Sequence, residues 1–206
     1  MTSHRSGRSL FDFSIVLHAS NISTPRRIPQ LLEETIGTKF QIILGYPGGP
    51  EMDLAVERNE AQCRAFTITA WFSGEPYQSW RKNGFAHLLL QTGRKRDERL
   101  PQLPTLYELM DQYKTAETER RLAEVVLASN IFGRPYVVPP GIFSERLKMI
   151  RDAFGRTTAD REFLAQAKTL NLEIEPTTGG ELEKLAKHIV VQPPEVVERM
   201  KKLLGK

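Results

Sequence analysis

The stretch Lys39–Arg64 constrains this chain most, because it writes a strand, a glycine-rich turn and a helix in immediate succession. Phe40 to Leu44 is an apolar run rich in β-branched residues. Gly45-Tyr46-Pro47-Gly48-Gly49-Pro50 turns the chain, and Met52, Leu54, Ala55 and Val56 then recur as on a helix. Pro50 suits a first helical position, where the amide it lacks would have no intrahelical partner. The opening amides of such a helix point outward, and the macrodipole adds partial positive charge, so the turn can hold a small anion such as a carboxylate. Glu51 and Asp53 would compete with that anion, and most junctions of this kind only turn a corner. No Gly-Lys-Ser/Thr closes the turn, and G-x-G-x-x-G spacing is absent, so it is neither a nucleotide P-loop nor a dinucleotide fingerprint.

With 206 residues the chain can bury a real core as one large domain or two small lobes. A formal net charge of +4 mildly favours anionic partners, but the basic residues are scattered. The densest cluster, Arg94-Lys95-Arg96, runs straight into Asp97-Glu98-Arg99, which argues for a self-paired loop and against nucleic acid. Cys63 is the single cysteine, which excludes an internal disulfide and a cysteine-based zinc site. No run approaches the ~20 apolar residues that span a bilayer, and residues 1–10, MTSHRSGRSL, read as a disordered N-terminus without a convincing signal-peptide core to follow.

In chain order, Phe11 to Leu17 reads as a strand. A loop, Ala19-Ser20-Asn21-Ile22-Ser23, leads to a helix from about Pro25 that ends at Gly37. Ala65 to Phe72 and Phe85 to Gln91 read as further strands, with a short helix from Ser79 to Asn83 between them. Helices are expected over Thr105 to Gln112 and Glu117 to Ala123. Val125 to Ala128 and Tyr136 to Val138 read as extended, and Leu172 to Glu175 as a short strand. Four helices complete the chain, over Ser144–Phe154, Ala159–Thr169, Gly179–Val190 and Pro194–Leu204. The strand–helix alternation of the first half predicts an α/β fold with mainly parallel strands.

Several long segments carry a resemblance. GTKFQIILGYPGGPEMDLAVERNE, LLLQTGRKRDERLPQLPTLYEL and GRPYVVPPGIFSERLKMIRDAFGRTTADREFLAQAKTLNLEIEP follow one another in order, and Gln192-Pro193-Pro194-Glu195-Val196-Val197 fits the same pattern. Together they resemble the substrate-binding proteins of tripartite tricarboxylate transporters, the Bug-type receptors. The resemblance implies a type II periplasmic-binding-protein-like fold in which two α/β lobes close over a small carboxylate. It also implies docking on membrane transporter subunits, a periplasmic location, no catalysis and no cofactor. Residues 11–123 would form the second ligand-binding lobe, with a mainly parallel sheet. Residues 124–206 would be the return segment and C-terminal helices of an incomplete first lobe. Because the resemblance starts well inside the family's length, apolar surface is expected to be exposed on that C-terminal part. As written the chain carries no export address, which on its own reads as cytoplasmic. In the segment after the helix that follows the glycine turn, the family's two glycines are replaced by Asn59 and Cys63 and its aspartate by Gln62.

The candidate ligand residues are Ser20, Asn21, Ser23 and Thr24 in one turn, Tyr46, Gly48 and Gly49 in the other, and Trp71 as a wall of the cleft. Helix capping is the structural alternative for the hydroxyl residues, and core packing for Trp71. No metal site is expected, and the nucleophile and metalloprotease motifs are missing. A stand-alone cytosolic effector-sensing or protein-interaction domain of the same fold is the competing reading.

Overall fold

The computed structural model describes residues 12–18, 24–170, 172 and 174–204, with side chains from Arg27 onward. Residues 1–10, read above as disordered, lie outside the described residues. Strand β1 (Asp12–His18) pairs in parallel with β2 (Lys39–Tyr46), and helix α1 (Thr24–Ile36) connects them. The register runs from Asp12↔Lys39 to His18↔Tyr46, with one irregularity between Val16 and His18. After β2 comes α2 (Gly49–Glu57), and the chain then adds β3 (Cys63–Arg64) to the other side of β1, again in parallel. The sheet order is β2-β1-β3.

Helices account for most of the remainder: α3 (Ile68–Trp71), α4 (Tyr77–Asn83), α5 (Leu106–Gln112), α6 (Glu117–Phe132), α7 (Ser144–Ala159), α8 (Arg161–Thr169), α9 (Gly179–Val190) and α10 (Pro194–Leu203). The type II periplasmic-binding-protein-like α/β fold read from the sequence is therefore corrected. The described residues are predominantly helical, and the parallel sheet is a patch of three strands, one of them two residues long.

The apolar runs read as strands went elsewhere, each for a physical reason. In Ala65 to Phe72 the Thr67 hydroxyl accepts the Ala70 amide and caps a single helical turn. Phe85 to Gln91 forms no strand, only an isolated parallel bridge from Gln91 to Thr105, and Phe85 and Leu89 stay about half exposed. Val125 to Ala128 continues α6, because Leu122, Ala123, Val126 and Leu127 fall on one face only at the helical period, and that face is buried. No strand forms among the described residues of Leu172 to Glu175.

The chain divides into two compact units, Met1–Leu127 with Pro193–Lys206, and Ala128–Gln192. In the first, α1 supplies Leu31, Leu32 and Ile36 to a core completed by Leu106 and Met110 of α5 and by the buried face of α6. Arg199 fixes α10 to this core by pairing with Glu34 at 3.1 Å and Glu119 at 2.7 Å. A second cluster gathers Trp71, Tyr77, Trp80, Leu100 and Leu103, and a third joins Met52, Ala55 and Ala61 to Ile43 of β2. Gln91 holds the intervening loop. Its amide donates to the carbonyls of Leu100 and Leu103, and its oxygen accepts the Asp97 amide. The second unit carries α7, α8 and α9. Neither α7 nor α9 has a buried residue, and α8 buries only Ala167.

Candidate functional site

Parallel pairing brings the carboxyl ends of β1 and β2 out side by side, with His18 in register with Tyr46. Helices α1 and α2 begin just beyond these ends. Of the sequence-predicted residues, Ser20, Asn21 and Ser23 lie outside the described residues. Thr24 opens α1, and its side chain is likewise outside them. Tyr46 closes β2, and its hydroxyl donates to Glu60 Oε2 at 3.0 Å, a bond to a carboxylate that raises the phenol's pKa. Gly48 takes the position before α2 in extended backbone, Gly49 is the first helical residue, and Pro50 follows as the second, one position later than expected. A Cβ on Gly48 would stand 3.0 Å from Glu51 Oε2, so the helix brings its own carboxylate to its N-terminus. Tyr46, Gly48 and Gly49 thus lie together at one strand end. Trp71 lies in the second core cluster, buried, stacked on Phe66 at 5.7 Å and edge-on to Tyr77 at 6.3 Å. It packs the core, as the structural alternative had it.

Sequence reasoning missed the polar group beneath this turn. Arg64, the last residue of β3, donates from Nη1 to the Gly49 carbonyl at 2.8 Å and to Asp53 Oδ1 at 2.5 Å. The Tyr77 hydroxyl completes the group, lying 3.1 and 3.0 Å from the two Asp53 oxygens. The Arg64 and Asp53 side chains are only 7% and 8% exposed. Burial pushes the Asp53 carboxyl above its ordinary pKa, outweighing the Arg64 charge and the Tyr77 hydrogen bond that pull it down. Burial also raises Tyr77, to about 12. Arg64 Nε is buried with no hydrogen-bond partner, a deficit that costs about 1–3 kcal/mol when nothing fills it. The sequence carries no local hint of it: Arg64 follows the mainly polar Asn59-Glu60-Ala61-Gln62-Cys63.

Chemically, this arrangement offers a buried guanidinium with unused donors at the edge of a parallel sheet. It offers no activated nucleophile. Burial raises the Cys63 thiol to about 11, so the thiolate is scarce at neutral pH. Among the described residues, no group of three or more His, Cys, Asp or Glu could hold a metal ion, and no helix is long and apolar enough to cross a membrane. No protein-family model, curated protein or solved structure matches the chain.

Proposed function

We propose that this protein is a solute-binding receptor for a small carboxylate, which it delivers to a membrane transporter of the tripartite tricarboxylate type without chemically changing it. The observation that carries the reading is the parallel placement of β1, β2 and β3, whose carboxyl ends share one edge with the glycine turn and the Arg64 guanidinium. Ligands of parallel sheets bind at that edge. The ordered likeness of the long segments quoted above supplies the ligand class, the transporter partner and the periplasmic location. Isothermal titration with succinate, citrate and glutamate tests the reading, with succinamide as the uncharged control. Saturable binding of at least one carboxylate, but not of succinamide, is the expected result; no binding of any carboxylate refutes it.

A protein-interaction domain is the second reading. Exposed apolar side chains in the second unit favour it, among them Tyr136, Val137, Phe143, Val190 and Val191. Under this reading the apolar residues bind a protein and the strand edge binds nothing, so the same titration separates the two.

A further inference from the structure

We infer that Arg64 anchors the ligand's carboxylate at the β1–β3 edge of the sheet, using the Nε and Nη2 donors that its contacts within the fold leave unused. This rests on the carboxylate-binding reading and names the residue that performs it.

The strand order locates the edge. From β1 the chain passes to β2 on one side and then to β3 on the other. β1 thus has β2 on one side and β3 on the other, and the carboxyl ends of open parallel sheets are where such sheets take ligands. Arg64 ends β3 and is in register with Val16 of β1.

Donor chemistry points the same way. Arg64 is nine-tenths buried, its hydrogen bonds to described residues all leave from Nη1, and Nε is enclosed without a partner. In a guanidinium, the Nε–H and one Nη2–H point side by side and match the two oxygens of a carboxylate. The Phe66 ring, with its centroid 5.5 Å from the guanidinium carbon, backs one face of the group and leaves edge-on recognition. The neighbouring helix terminus is a poorer receptor, because Glu51 already supplies its first turn with negative charge. The fork of Arg64 is what remains for an incoming anion.

Titration of succinate, citrate and glutamate into the full chain and two variants tests this, with circular dichroism confirming that each is folded. Arg64→Lys keeps the charge and removes the fork, and the expected affinity loss is about tenfold or more. Asp53→Asn keeps an oxygen for Nη1 and the Tyr77 hydroxyl but removes the competing charge; the expected result is severalfold tighter binding. Wild-type affinity in folded Arg64→Lys overturns the inference and leaves the carboxylate-binding reading intact. Unchanged or weaker binding in folded Asp53→Asn overturns it too, and decides the matter if Arg64→Lys does not fold. A wild-type chain that binds none of these carboxylates refutes the underlying reading and the inference with it.

Discussion

Both units carry helices with apolar residues at helical spacing, yet they bury those residues to very different degrees. In the first, α5 and α6 bring Leu106, Met110, Leu122 and Leu127 to essentially zero exposure against α1. In the second, α7 and α9 carry comparable apolar residues and bury none of them. Met149 is 68% exposed and Leu170 also 68%. The exposed apolar surface expected on the C-terminal part is present. The lesson is that periodicity in a sequence identifies the face of a helix that would pack, while burial requires a partner surface that periodicity does not encode. Hydrophobic stabilisation follows burial, so it is concentrated in the first unit.

The largest expected effect is a contrast between leucines. Leu122→Ala opens a cavity in the first core and is expected to lower unfolding free energy by about 3 kcal/mol. Leu170→Ala, at an exposed site, is expected to stay within about 0.5 kcal/mol. Urea unfolding followed by circular dichroism measures both, and equal losses would break the contrast.

A smaller effect is expected at the clamp on α10. Arg199→Ala removes one cation from Glu34, Glu119 and Glu195 together. Its guanidinium is about a third exposed, so solvent screening limits the expected loss to about 1 kcal/mol. The same urea titration measures it, and a variant as stable as wild type would remove the clamp from the account.

The two units also share one local device. Thr105 with Glu108 caps α5, and Thr178 with Glu181 caps α9, each as a reciprocal capping box. Thr105→Ala is expected to cost about 1 kcal/mol of global stability. Thr178→Ala is expected to fray α9 without moving the main transition, because α9 has no buried residue to couple it to a core. Amide exchange along α9, read beside the unfolding midpoint, separates the two outcomes.

The smallest effect is on pH dependence. Hydrogen bonds from Arg96, and from Thr178, hold Glu108 and Glu181 respectively below the ordinary carboxyl pKa of 4.5. Each acid therefore contributes stability above that ordinary value and loses it as pH falls through its lower folded value. Melting midpoints should drop between pH 6 and pH 3, and by less in Arg96→Ala, which removes the main cause of the Glu108 shift. A drop as large in that variant as in wild type would detach the Arg96–Glu108 pair from the acid sensitivity.

Much of the helical framework was legible because its signals are local. Gly37, with φ of 71°, ends α1 as read, and Asn59 adopts φ of 58° where the resembled family has glycine. Pro50 lies in the first turn of α2, and Thr105 caps α5. Strand content was misread because an apolar run of four to eight residues carries no period that separates a strand from a buried helical segment. Val125 to Ala128 shows this: only the packing of α6 against α1 and α5 makes its residues helical core. At the candidate site, the glycine turn was visible in the sequence. The Asp53–Arg64–Tyr77 group was not, because its members stand 11 and 24 positions apart and meet only through the fold.

The most direct test of the account is hydrogen–deuterium exchange of the whole chain with and without citrate. With a carboxylate bound as proposed, at the carboxyl ends of the short parallel sheet in the cored unit, citrate is expected to slow exchange in peptides covering Gly45–Asp53 and Cys63–Phe66 and to leave residues 128–192 unchanged. Slowing confined to residues 128–192, or no slowing anywhere, would contradict that placement.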